Sequence, residues 1–141
     1  MQNTDRKIVL FIDDDEVFHF IVRDFMLSNY PNIEVSYALS TAVAIDQLPQ
    51  SGESSYPQLI ICKLEMATFD KAIFLKRLQD WQSTKGQHTP VVLLTHIGRE
   101  QLIDIATTFQ FVKDVFLKSN IESKMPKILS KYLYPPCDYS G

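Results

Sequence analysis

Three short apolar runs, "IVLFI" (residues 8–12), "LIIC" (59–62) and "VVLL" (91–94), constrain the fold more than any other feature of the chain. No polar residue interrupts them, so neither face of such a strand is suited to water. Continuous runs of this length fit interior strands of a parallel sheet covered by helices on both faces. A fourth run, "IEVSYA" (33–38), is different: Ile33, Val35 and Tyr37 alternate with Glu34 and Ser36. Alternation fits a strand with one wetter face, at an edge of the sheet. A fifth candidate, "DVFL" (114–117), precedes Lys118.

Helical spacing fills the gaps between these strands. Val17, Ile21 and Phe25 are four apart, with Phe18, Val22 and Met26 alongside. Phe74, Leu78 and Trp81 repeat the spacing after the third strand, as do Leu102, Ala106 and Phe109 after the fourth. Ser40 is a good N-cap for "TAVAIDQL". Ser119 and Glu122 form a capping-box pattern for the last helix, but Pro126 would then sit in the helix interior, at a cost of about 3 kcal/mol. A start near Ser123 instead places Pro126 in the first turn and turns Ile128, Leu129 and Tyr132 toward the core. Two polar stretches, 49–58 and 82–89, read as long loops, and "YPPCDYSG" as a frayed tail. Strand and helix alternate five times. Right-handed crossovers then give a doubly wound parallel sheet, a single domain over residues 1–134 with a tail at 135–141.

Composition narrows the function classes. With 141 residues, 45% hydrophobic and 22% charged, the chain can bury an ordinary globular core. A net charge of -3 gives no reason to expect nucleic acid or an anionic membrane as partner. No apolar stretch approaches the roughly 20 residues that span a bilayer. The opening "MQNTDRK" lacks the apolar core of a secretory signal, and the two cysteines make no disulfide framework. Cys62 lies in an apolar run and is expected to pack as a small core residue. A cytoplasmic location is the expectation.

In an open α/β sheet, ligands bind beyond the carboxyl ends of the strands. The first strand delivers Asp13, Asp14 and Asp15 to that edge, the third Lys63 and Glu65, the fourth Thr95 and His96, and the fifth Lys118. Carboxylates this close repel one another, so such a cluster holds a cation or a protonated member. Asp15 is expected only to cap the first helix.

These residues resemble the receiver domain of two-component response regulators over roughly residues 7–132. "VLFIDDDE" resembles the family's first strand with its acidic pair, here Asp13 and Asp14. "VVLLT" matches the fourth strand with its switch threonine, Thr95, and "DVFLKS" the fifth with its lysine, Lys118. "PQLIICKLEMATFDKAIFL" follows the third strand and the segment after it. The resemblance implies a flavodoxin-like (βα)5 parallel sheet of strand order 2-1-3-4-5. It also implies a role in phosphorelay signal transduction. In that family the aspartate ending the third strand takes a phosphoryl group from a phosphohistidine. Mg²⁺ is held there by the acidic pair, the acceptor and a backbone carbonyl, which corresponds here to Glu65.

At the acceptor position this sequence has Lys63. An amine cannot form the acyl phosphate that a carboxylate forms, so phosphotransfer by the family mechanism should be lost. Asp13 and Asp14 then face Lys63 and Lys118, two charges against two, with no metal needed. The Lys63 ammonium is expected to stand in for the cation, donating charge-assisted hydrogen bonds to Asp13 and Asp14 and leaving no Mg²⁺ cofactor, the alternative being a side chain that snorkels into solvent. Other departures agree. Val115 replaces the aromatic three residues before the family lysine, and Ser119 the proline after it. Lys71 and Ala67 stand where Gly and Pro are usual, and His96 where a small residue is usual. With no cis-proline, a trans turn is expected after Lys118.

The expectation is therefore a pseudo-receiver that acts by protein–protein interaction and is not an enzyme. No output domain is legible after the last helix. The expected partner is a histidine kinase, another signalling protein or a second copy, met through the fourth helix, fifth strand and fifth helix, about residues 99–131. Two alternatives remain. One is a receiver phosphorylated on Asp13, Asp14 or Glu65. The other is a small Mg²⁺-dependent phosphatase of the haloacid-dehalogenase type, with Asp13 as nucleophile, Asp15 as general acid, and Thr95 and Lys118 in the next motifs. That type needs a further acidic pair after the lysine, where only Glu122 and Asp138 occur.

Overall fold

The three uninterrupted runs form the interior of a five-stranded parallel sheet in the order β2-β1-β3-β4-β5. This computed structural model describes residues 7–48, 56–63, 71–86, 88–96 and 108–133. The strands are β1 (Lys7–Ile12), β2 (Ile33–Ala38), β3 (Leu59–Lys63), β4 (Val91–Thr95) and β5 (Val112–Leu117). The helices described are α1 (Glu16–Asn29), α2 (Thr41–Gln47), α3 (Lys71–Lys85) and α4 (Ile121–Tyr132). Fold and strand order are those expected. The alternating strand β2 does lie at one edge, with Glu34 exposed.

Successive strand residues point to opposite faces, and each interior run feeds two cores. Val9, Phe11, Leu59, Ile61, Val92 and Leu94 pack against α1 and α4. Leu10, Ile12, Ile60, Cys62, Val91 and Leu93 pack against α2 and α3. That division is why none of these runs alternates in sequence. Cys62 is a wholly buried core residue, and burial pushes its thiol pKa up.

On α1 the structure chooses between two neighbouring apolar stripes. Phe18, Val22 and Met26 are buried, whereas Val17 is 67% and Phe20 69% exposed. Asp15 sets the entry of the helix by accepting the Val17 and Phe18 N–H groups. Ser40 caps α2 as its sequence implies, accepting from the Val43 N–H.

Two expectations are corrected. The loop read over 82–89 is shorter, because α3 continues through Lys85 and Gln82 is buried. The last helix starts at Ile121 and not near Ser123, which leaves Pro126 inside it. The cap position belongs to Asn120, in a left-handed conformation (φ 54) without a side-chain cap bond. The earlier start buries Ile121 and Met125 as well as Ile128 and Leu129. Two extra buried side chains, at about 1.5–3 kcal/mol each, offset the roughly 3 kcal/mol cost of an interior proline. The helical pattern at Leu102 and Ala106, most of the loop at 49–58, and the tail at 135–141 lie outside the described residues.

Candidate functional site

The site is built where the strand ladders run out at their carboxyl ends. β1 and β3 pair as far as Ile12 with Cys62, which brings the next residues, Asp13 and Lys63, to the same level. β4 and β5 end on Thr95 paired with Leu117, with the Lys118 N–H donating to the Thr95 carbonyl at 2.8 Å. Asp13 is held by the backbone on both sides. Its N–H donates to the Ala38 carbonyl at 3.0 Å, and its own carbonyl lies 2.6 Å from His19 Nε2.

Two lysines meet the aspartates, each in its own way. Lys118 Nζ lies 2.8 Å from Asp13 Oδ2, with the two side chains only 8% and 2% exposed. The same ammonium sits over the Phe18 ring, 4.1 Å from its centroid, so a carboxylate and an aromatic face share it. Asp13 Oδ1 accepts the Asp15 N–H at 2.9 Å. Lys63 Nζ instead donates to Asp14 Oδ1 at 3.2 Å, with side-chain exposures of 12% and 36%. The expectation that Lys63 faces both aspartates is thus corrected. Asp13 is already taken by Lys118, and Lys63 reaches only the outer aspartate.

Asp15 does more than cap. It lies 3.7 Å from Lys118 Nζ, close enough to join the cluster. The Phe18 N–H is the main cause that holds its carboxyl below the usual range, helped by Lys118, the Val17 N–H and Lys63 against the opposing effect of burial. Thr95 is fully buried at the end of β4, and His96 beyond it is exposed. Val115 is buried in the α2–α3 core. No described peptide bond is cis, so Ser119 follows Lys118 in trans. Glu65 and Ala67 lie outside the described residues, as does the side chain of Lys71.

Sequence reasoning missed His19. It is 8% exposed and lies edge-on to Tyr37, with ring centroids 5.1 Å apart. Because a carbonyl can only accept, Nε2 carries the proton in its contact with Asp13, and buried Nδ1 has no hydrogen-bond partner. The signal was available: His19 directly follows Phe18 and lies three before Val22 on the buried stripe. Among the described residues, no group of three His, Cys, Asp or Glu side chains is placed to hold a metal ion.

No family model matches the sequence, and neither does any curated protein. Solved structures do match. A two-component response regulator from Cytophaga hutchinsonii superposes with a TM-score of 0.77 at 18% identity, covering 92% of this chain and 98% of that one. The phosphorylated cyanobacterial phytochrome response regulator RcpA gives 0.73 at 19% identity, over 96% and 99%. The Vibrio cholerae chemotaxis protein CheY4 gives 0.70 at 18%, over 90% and 98%. With the strand order and the cluster at the carboxyl edge, these similarities establish that the chain has the flavodoxin-like fold of response-regulator receiver domains.

Proposed function

We propose that this chain is a receiver-like signalling module that has lost phosphotransfer at the usual position and acts through protein–protein contact. The observation that carries this reading is Lys63 at the end of β3, with its ammonium 3.2 Å from Asp14. An ammonium offers no oxygen to a phosphoryl group. A divalent cation also fits this donor set poorly. Mg²⁺ demands oxygen ligands in near-octahedral array, and here each candidate carboxylate already faces a lysine. Asp13 and Asp14 are each matched by one ammonium group, and Asp15, which also faces Lys118, leaves the cluster a single net negative charge without a metal.

Incubation with acetyl phosphate and Mg²⁺, followed by intact mass measurement, tests the proposal. Wild type should gain no phosphoryl group, and Lys63→Asp, which restores an acceptor carboxylate, should gain one. A phosphoryl increment in wild type that disappears in Asp13→Asn would overturn the reading in favour of phosphorylation on a non-standard acid. The phosphatase alternative needs Asp15 as a proton donor. The Phe18 and Val17 N–H groups lower its pKa, opposite to the upward shift a general acid working near neutral pH needs, which favours the signalling reading.

The expected partner face, about residues 99–131, is described only in part, since residues 97–107 lie outside the described residues; among the described residues α1 offers a second candidate. On β5 and α4 the large exposed apolar residue is Leu117, whereas α1 exposes Val17, Phe20, Ile21 and Leu27. We place the contact surface on α1, beside the ion pairs. Phe20→Glu should then abolish binding to a histidine kinase or to a second copy, and Leu117→Glu should spare it. The reverse result returns the interface to β5 and α4.

A further inference from the structure

The opposite edge of the sheet carries a second cleft, of about 510 Å³. It lies between the C-terminal part of α3, the turn into β4 and the start of β5, beyond the amino ends of the strands. Its volume falls within the roughly 300–1,000 Å³ of small-molecule sites. Glutamine, serine, threonine, histidine and lysine side chains line it, and among the described residues no aspartate or glutamate does.

Two features point to what the cleft takes. The first is Gln82, on the cleft wall and 6% exposed. Its Oε1 accepts the Thr89 N–H at 2.8 Å. That bond fixes the orientation of the amide, because a backbone N–H can only donate and a flipped amide would meet it with another donor. The amide nitrogen, Nε2, is left buried with no hydrogen-bond partner. A buried donor in this condition is destabilising unless something accepts from it.

The second feature is Lys113. The pairing of β4 with β5 passes from Val91 with Val112 to Val92 with Asp114, so Lys113 is the extra residue of a bulge. Bulges re-aim side chains. This one sets Lys113 on the wall of the cleft, where no described carboxylate pairs with it. Thr89 is committed elsewhere, its hydroxyl donating to the Pro57 carbonyl at 2.9 Å. Phe111 adds an apolar wall.

We propose that this cleft is a binding site for a small oxyanion, a carboxylate- or phosphate-bearing molecule, with one anionic oxygen accepting from Gln82 Nε2 and the charge facing Lys113. The site is separate from the aspartate–lysine cluster and does not depend on how that cluster is read.

The test is a titration of the ¹⁵N-labelled chain with sodium benzoate and, separately, inorganic phosphate, each up to about 10 mM, a range that detects even millimolar affinity. The Gln82 side-chain NH₂ signals report directly on the proposed acceptor. Saturable shifts there and at Lys113 with benzoate assign a carboxylate ligand, and with phosphate a phosphoryl ligand. Lys113→Gln, a change at an exposed position, should weaken binding by at least about threefold. Gln82→Glu keeps the acceptor for Thr89 but puts negative charge in place of the amide nitrogen, and should abolish binding. The proposal is overturned if neither anion moves the Gln82 signals, or if Lys113→Gln binds as tightly as wild type.

Discussion

The two ion pairs at the carboxyl edge use the same chemical groups and differ in their surroundings. Lys118 meets Asp13 beneath α1, between a carboxylate and the Phe18 ring, where both side chains are almost wholly buried. Lys63 meets Asp14 at the rim, where the aspartate is more than one-third exposed. The comparison teaches that the inner pair belongs to the core and the outer pair to the surface. A buried pair is expensive to break from one side, because the remaining charge has no water to turn to. A rim pair gives up much of its Coulomb energy to solvent.

Substitutions can break or sharpen that contrast. The largest effect is expected from Lys118→Met, which leaves Asp13 buried and unpaired. Urea unfolding should report a loss of about 3–5 kcal/mol, and a loss below about 1 kcal/mol would place the inner pair in the same class as the outer one. Asp15→Ala comes next, at about 1 kcal/mol for the lost cap. Its pH dependence has a definite sign. The folded-state pKa of Asp15 is lowered from the ordinary 3.8, so its contribution is present above that value and disappears as pH falls through the folded pKa. The difference between wild type and Asp15→Ala should therefore shrink below about pH 4. Lys63→Met should change stability least, by about 0–1 kcal/mol, with the effect fading in high salt. A loss from Lys63→Met that rivals that of Lys118→Met would show that exposure does not separate the pairs.

How much of this was legible in the sequence depended on whether the information was local. The sheet was readable because burial on both faces leaves uninterrupted apolar runs, and the edge position of β2 because Glu34 and Ser36 break its pattern. The site residues were readable because the strands deliver them to one edge. Their pairing was not. Whether Lys63 or Lys118 reaches Asp13 depends on side-chain reach and on the Phe18 ring, and no spacing rule encodes either. The stripes at 17/21/25 and 18/22/26 are both apolar, and what decides between them is tertiary packing, in which Phe18, Val22 and Met26 meet the side chains of β1, β3 and β4. Pro126 misled for the opposite reason. The proline rule was sound, but the rewards for breaking it, Ile121 and Met125, lie in tertiary packing.

The tether on Lys63 has a consequence for how this edge of the sheet responds to the cell. A diffusible cation fills its site according to its concentration, so occupancy varies with the ionic state of the surroundings. An ammonium carried on a neighbouring strand has an effective concentration set by the fold itself. Its encounter with Asp14 is therefore the same in every folded copy. On the proposed reading, an edge fixed in this way leaves signal strength to how many copies are made and how long each survives, so that dosage takes the place of occupancy.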